Sequence, residues 1–310
     1  MSEEQEIKIG GQTVQLSSLD KMLFPGIGLT KGEMIDYYRR IGEIMVPHMR
    51  RRPITMQQFP KGIDAGGFYR KEVPDHFPDW LDRVEVPVEE EGGEEQPQVV
   101  CNDVATLVYL ANQNCVTFHV WLSRAGKLDY PDKLIFDLDP PTEAFEPIRR
   151  AAFDLRDLME EVGLVPYVMT TGSRGLHVVA PLDRSADFDT VRAVARAMAQ
   201  VLVDRQPDRL TLEMSKAERG DRVFLDYLRN SYAQHGVAPY SLRPKPGAPI
   251  ATPLDWEELR DKEIKSQSYT VDNIFRRLGQ KADPWRDFYD DACSIETARE
   301  KLYALYDNDE

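Results

Sequence analysis

The 310 residues, 42% hydrophobic and 30% charged, suffice for one large or two packed domains of a globular protein, and no apolar run nears the roughly 18 residues of a membrane span. A net charge of −14 weighs against a partner gripped through phosphates over the whole surface, although the acid is partly local, at both ends and in the run 89–95. Cys101, Cys115 and Cys293 are few, odd in number and lack metal-ligand spacing, which favours buried free thiols over disulfides or a zinc site.

In chain order, the acidic start is the opposite of a basic signal peptide, so the expected compartment is the cytoplasm, with no membrane partner. Residues 7–16 alternate around Gly10-Gly11 as a hairpin. Thr30 and Glu33 have capping-box spacing, and Met34, Tyr37, Tyr38, Ile41 and Met45 form an apolar stripe, so a helix begins at Thr30. Lys21 and Lys31 flank the preceding turn. They suit a phosphate near a helix N-terminus, or two solvated surface charges. A strand is expected near 52–56. The glycine-punctuated loop after it ends in Phe68-Tyr-Arg-Lys71, rings and cations that could hold a single-stranded base and its phosphate, or rings that pack inward. Residues 82–99 read as a hairpin with the acidic run at its tip, 102–113 as a helix and 115–121 as a strand. His119 in that strand is by default a core histidine.

The stretch Leu134-Ile-Phe-Asp-Leu-Asp-Pro-Pro-Thr142 organises the rest of the chain. It reads as a buried strand ending in acids, and strand alternation puts Asp137 and Asp139 on one face. Two like charges on a rigid face ask for a cation, and hard divalent ions take oxygen ligands; acids that merely cap a turn fit as well. The next element is a helix, with Ile148, Ala152, Leu155, Met159 and Val162 on one side and Gly163 at its end. Strands are expected at 165–169, 176–180, 210–214 and 223–227, with a helix over 188–203 and a loop at 215–221. The order suggests an α+β layer, a small antiparallel or mixed sheet with helices on one face. Asp226 is again an acid late in a hydrophobic strand. If its strand lies beside that of Asp137, three carboxylates can bridge two divalent ions, the geometry for displacement at phosphorus. The turn Thr171-Gly-Ser-Arg-Gly-Leu-His177 offers close backbone, hydroxyls and a guanidinium to a polyphosphate. Beyond it, short helices are expected around Trp256 and at 271–278, and a last helix within 284–306.

Phe136-Asp-Leu-Asp-Pro140, Thr171-Gly-Ser-Arg-Gly-Leu-His177 and Val223-Phe-Leu-Asp-Tyr227, in this order, resemble the three motifs of the archaeo-eukaryotic primase superfamily, most closely the polymerase domain of bacterial ligase D and its stand-alone relatives. The likeness extends to Asp20-Lys21, Leu29-Thr-Lys31, Phe68-Tyr-Arg-Lys71, His119 and Ala238-Pro-Tyr-Ser-Leu-Arg243. It implies a primase-polymerase fold with an RRM-like catalytic sheet packed against an N-terminal α/β module. The corresponding division is 1–130 for DNA-end and template contacts and 131–310 for catalysis with a C-terminal extension, both within one compact polymerase domain.

By the same resemblance Asp137, Asp139 and Asp226 would hold two Mg2+ or Mn2+ ions. Thr171, Ser173, Arg174, His177 and Arg243 would meet the incoming NTP or dNTP, and His119 would lie near that nucleotide or the templating base. Lys21 and Lys31 would grip the 5'-phosphate of a recessed DNA end, Phe68 and Tyr69 would stack on the template, and Arg219 would help to present the primer or a partner DNA end. The implied activity is template-dependent nucleotidyl transfer at gaps and ends during non-homologous end joining, favouring ribonucleotides. It would operate at the nucleoid, beside a Ku-type end-binding protein and a DNA ligase.

Three departures stand out. Gln57-Gln58 replace basic side chains, Arg174 replaces a commoner lysine, and the acidic tip 89–95 would repel phosphate where relatives help two ends meet. No ligase or nuclease segment is present, as in a separate polymerase or one excised from a longer protein. Two rivals are weaker. A phosphohydrolase with Asp137 as nucleophile would want Thr or Val where Pro141 stands, and a non-catalytic DNA-end-binding module would not need all three acids.

Overall fold

The computed structural model describes residues 5–87 and 95–307, so most of the acidic run 89–95 lies outside the described residues. The chain divides into two compact units. One comprises Met1–Ala125, His235–Ile250 and Thr270–Ile274; the other comprises Gly126–Gln234, Ala251–Tyr269 and Phe275–Glu310. The division differs from a single cut at 130 because two later segments return to the first unit. The reason is backbone pairing: one of them adds a strand to the first unit's sheet.

In the first unit, β1 (Gln5–Ile9) and β2 (Gln12–Leu16) form the expected hairpin. β3 (Met22–Phe24) and β4 (Leu29–Thr30) frame the turn before α1 (Lys31–Met49). The capping box is formed: Glu33 N donates to Thr30 Oγ1 at 3.2 Å, and Thr30 N donates to Glu33 Oε2 at 2.7 Å. All five stripe residues of α1 are buried. β5 (Ile54–Gln58) and β6 (Phe68–Arg70) are followed by the hairpin β7 (Arg83–Pro87) and β8 (Glu95–Val99), then α2 (Val104–Asn112) and β9 (Cys115–Trp121). α2 can lie close on α1 because Gly42 has no side chain; a Cβ there would sit 2.8 Å from Val104.

The second unit carries β10 (Lys133–Asp139), α3 (Glu146–Glu161), β11 (Tyr167–Thr170), β12 (Leu176–Pro181), α4 (Phe188–Arg205), β13 (Leu210–Thr211), α5 (Lys216–Arg219) and β14 (Val223–Asp226). β15 (His235–Val237) completes the first unit's four-stranded sheet, β15-β9-β5-β6. β16 (Thr252–Leu254), α6 (Trp256–Leu259), α7 (Ile274–Gln280) and α8 (Ile295–Asp307) end the chain. The second unit's sheet runs β13-β14-β10-β12-β11-β16 and is antiparallel except for β13 beside β14. It is the mixed α+β layer that the element order implied.

One face of this sheet is core. Leu134, Phe136 and Leu138 from β10, Leu176 and Val178 from β12 and Val223 and Leu225 from β14 bury with the apolar sides of α3 and α4. Alternation then sends Asp137, Asp139 and Asp226 to the other face. The strand expected over 210–214 is only two residues long. Thr211 Oγ1 accepts from Glu213 N, a local bond that turns the backbone out of the ladder, and part of the expected loop is the short helix α5. Among the described residues no helix is long and apolar enough to cross a membrane.

Candidate active site on the second unit's sheet

Antiparallel pairing sets Asp137 of β10 directly opposite Asp226 of β14 on one side and His177 of β12 on the other. Asp139 lies opposite Phe224, two residues before Asp226. Directly opposed residues project to the same face, so the three carboxylates and His177 form one patch from segments about ninety positions apart in sequence. Asn230 keeps this register. Its side chain accepts from Ile135 N at 2.8 Å and donates to Ile135 O at 2.7 Å, closing the turn after β14 onto β10.

The acids differ in their partners. Asp137, whose side chain is 12% exposed, receives Arg229 Nε at 3.2 Å and Nη2 at 3.1 Å on Oδ2, and His177 Nε2 lies 3.4 Å from Oδ1. Burial alone would push the Asp137 carboxyl up, but His177 and Arg229 outweigh it and hold the group down at about 2. Asp139 is pushed up by burial and by the charge of Asp137, against the pull of Arg174. Asp226 is pushed up by burial and by Asp137, against a bond from Leu228 N to its Oδ1 at 2.9 Å. Hard oxygen donors, two of them raised by burial and by the charge of Asp137, suit Mg2+ or Mn2+ in chemistry. Among the described residues no three acidic, His or Cys side chains are yet drawn into a metal cage. Both oxygens of Asp137 already face a partner, Arg229 on Oδ2 and His177 on Oδ1.

The loop between β11 and β12 is built on backbone close to the acids. Gly172 adopts φ 64°, and a Cβ on Gly175 would lie 2.3 Å from Leu138 O and 3.1 Å from Asp139 Oδ1, so only glycine fits there. Thr171 is buried, and its hydroxyl serves the loop: it receives Gly175 N and Ser173 N and lies 3.2 Å from both Gly175 O and Ser266 Oγ. Arg174 is exposed and donates to Pro140 O at 3.1 Å. A cleft beside it is lined by Asp139, Arg174, Lys216, Arg219, Arg222 and Phe224. Arg219 donates to Glu213 O and Met214 O, both at 2.8 Å, with its guanidinium 4.0 Å over the Phe224 ring.

The second unit thus gathers Asp137, Asp139, Asp226, Thr171, Ser173, Arg174, His177 and Arg219. The other expected residues belong to the first unit, in separate places. Lys21 Nζ donates to Asn114 Oδ1 at 3.3 Å, while Lys31 is buried with Nζ on Ser17 O at 2.7 Å. Burial and the charge of Lys21 lower Lys31 to about 8. Phe68 and Tyr69 are exposed on β6, and Tyr69, His119 and His235 form a row of rings with centroids 5.6 and 5.2 Å apart. Arg243 is held at its backbone, its N–H donating to Pro249 O at 2.8 Å. Gln58, one of the departures, bonds Gln113 O and Arg70, so it braces the aromatic strand from within.

Sequence reasoning missed Arg229, Asn230, Ser266 and Gln267. The first two stand three and four residues after Asp226, where polar residues just past a strand end are the only signal. Ser266 and Gln267 carry no local signal: Ser266 Oγ donates to Gly175 O at 3.0 Å and Gln267 Nε2 to Ser173 O at 2.7 Å, a clamp made by distant chain.

The sequence model of the LigD primase-polymerase domain matches residues 30–285. The multifunctional non-homologous end joining protein LigD of Mycolicibacterium smegmatis is 33% identical over 275 residues, 88% of this chain and 35% of that protein. The bifunctional non-homologous end joining protein LigD of Bacillus subtilis is 28% identical over 278 residues, 89% of this chain and 44% of that protein. Among solved structures, the polymerase domain from Mycobacterium tuberculosis ligase D in complex with DNA superposes with a TM-score of 0.84 at 30% identity, covering 90% of this chain and 99% of that one. The chain spans about a third of the length of the first of these curated relatives. With matching motifs, matching fold and a family match over most of its length, the chain belongs to the LigD primase-polymerase domain family.

Proposed function

We propose that this chain is a template-dependent nucleotidyltransferase that fills gaps and extends DNA ends in non-homologous end joining, with Asp137, Asp139 and Asp226 holding two Mg2+ or Mn2+ ions. The observation that carries this reading is the register of Asp137 against Asp226, with Asp139 beside the basic cleft, in a chain of this family. When bound, the ions supply Lewis-acid activation of a primer 3'-hydroxyl and neutralise charge on the triphosphate and departing pyrophosphate. The chain's own residues do the rest. Arg174 and Arg219 line the cleft beside Asp139 and give it the positive charge that an NTP or dNTP polyphosphate needs. Thr171 shapes the loop on which Ser173 and Arg174 are offered. His177 orients Asp137, and its Nδ1 is buried without a hydrogen-bond partner among the described residues, which suits a bound nucleotide.

In the first unit, Lys21 and Lys31 bind the 5'-phosphate of a recessed end, Phe68 and Tyr69 stack on the template, and His119 and Arg243 meet the nucleotide. Ribonucleotides are preferred, and the chain acts beside a Ku-type end-binding protein and a DNA ligase, in the cytoplasm at the nucleoid. The names of the relatives, end-joining proteins of which this chain matches a part, support that setting.

The test is primer extension on a gapped duplex with Mn2+. Asp137→Ala and Asp226→Ala should each cut the rate by at least roughly a thousandfold, the scale on which electrostatic transition-state stabilisation acts, while leaving DNA-end binding intact. EDTA should abolish extension by the wild-type chain. Either variant extending at the wild-type rate would remove the metal assignment, and a wild-type chain that binds ends but never extends would make it an end-binding module.

A further inference from the structure

Asp137 already has a cation on it. Arg229 Nε and Nη2 both point to Oδ2, at 3.2 and 3.1 Å, and His177 Nε2 lies 3.4 Å from Oδ1. Both oxygens therefore have partners; each carboxylate oxygen carries two lone pairs, so a hard cation arriving here either shares an oxygen with one of these partners or takes its place. The two partners are not equally free to go. The side chain of His177 is 6% exposed and stands in the ladder directly opposite Asp137. That of Arg229 is 41% exposed. The backbone beneath it is anchored, since Asn230 is tied to both polar groups of Ile135. A long flexible side chain on a fixed stem can swing into solvent without disturbing the strand that carries the acids.

We propose that Arg229 is the resident counter-cation of this site: it occupies the oxygen of Asp137 that a divalent ion would use, and it gives that oxygen up when the ion arrives. The inference rests on the metal reading of the proposed function and deepens it. Three carboxylates on one face repel one another, so a guanidinium there balances the metal-free sheet. The same contact makes loading an exchange of one cation for another, which weakens the ion's apparent affinity by the strength of the bond it must break. Arg229 is thus a positioning residue, acting through Asp137.

The experiment measures Mn2+ binding to the intact chain, without nucleotide or DNA, by calorimetry and by the paramagnetic resonance signal of free Mn2+. Arg229→Gln should bind Mn2+ roughly tenfold more tightly than wild type, the scale of one charge-assisted contact to a mostly buried carboxylate. Arg229→Lys, which keeps the charge without the planar fork, should fall between the two. In EDTA, Arg229→Gln should melt below wild type, and Mn2+ should raise its melting temperature by more than it raises that of wild type. A purely structural arginine would lower the melting temperature without tightening Mn2+.

Asp226→Ala separates the counter-cation role from the metal reading. If it loses Mn2+ binding while Arg229→Gln and Arg229→Lys bind no more tightly than wild type, the counter-cation role is overturned and the metal reading stands. If Asp226→Ala binds Mn2+ as wild type does, the ions are not held by these strands and both fall together.

Discussion

The chain holds two clusters of like charge, three acids on the second unit's sheet and two lysines around the first turn of α1, and the same physics has displaced both. Asp139 and Asp226 are raised and Lys31 is lowered to about 8, each towards its neutral form, because burial and a neighbour of the same sign penalise the charged one. What differs is the compensation. The acids have Arg229 and His177 on Asp137, whereas the lysines donate to neutral oxygens, those of Ser17 and Asn114. Backbone shapes both, a strand register and a glycine pressed onto Leu138 for the acids and a bond from Lys31 N to Lys21 O at 2.8 Å for the lysines, but the ammonium groups are placed only by bonds of their own side chains. On the reading proposed above, the first would exchange one cation for another and the second would offer positive charge to an anion.

The sharpest attack on the rigid side of the comparison is Gly175→Ala. Its methyl would meet Leu138 O at 2.3 Å, so β10 or the loop between β11 and β12 must shift, at a cost of roughly 1–3 kcal/mol of overpacking. Urea unfolding should register that loss, and nucleotide KM should rise. A fully stable variant with unchanged KM would show that the loop is not pinned to the acids. On the lysine side, Lys21→Ala combined with Lys31→Ala should weaken binding to 5'-phosphorylated ends by about tenfold more than to 5'-hydroxyl ends, the worth of one to two charge-assisted contacts. Equal losses on both ends, read by fluorescence anisotropy, would remove the phosphate pocket.

Titration probes the same contrast more gently. A lysine lowered to about 8 is charged below that value and neutral above it, so selectivity for 5'-phosphate should decline as pH rises through about 8. The stability sign is opposite. Between about 8 and the ordinary lysine value the unfolded chain binds more protons than the folded one, so Lys31 destabilises the fold at lower pH and that penalty fades as pH rises through the window. Selectivity that persists to pH 10 would mean that the lowered pKa of Lys31 does not govern phosphate recognition. The smallest effect is expected from Ser266→Ala, which removes the bond to Gly175 O and the contact with Thr171 Oγ1 from the loop between β11 and β12. About 1 kcal/mol, or a few-fold in nucleotide KM with DNA-end binding unchanged, is the expected change.

Legibility tracks the range of the interaction. The capping box at Thr30 and Glu33, the stripe of α1 and the strand at Cys115–Trp121 are readable because each depends on residues within a turn or two of one another. Asp137 and Asp139 can be put on one face for the same reason. The strand expected at 210–214 is overlong because apolar residues there suggest continuity, while a bond from the Glu213 backbone to the Thr211 side chain ends the ladder. Arg229 is hidden in the sequence, since a lone arginine after a strand looks like any solvated charge. Lys31 looks exposed there, yet its ammonium turns inward to Ser17 O, a partner fourteen residues earlier.

The amino-acid sequence by itself determined which residues could do chemistry, since hydrophobic alternation, glycine placement and the pairing of acids are properties of short segments. It also carried the family, through three motifs in order. Only the tertiary structure decided that Asp226 stands opposite Asp137, that Ser266 and Gln267 clamp the loop between β11 and β12, and that segments after residue 234 return to the first unit. Strand register and loop closure join positions far apart along the chain, and the free energy that selects one partner over another comes from packing and hydrogen bonds made only once the whole sheet has formed.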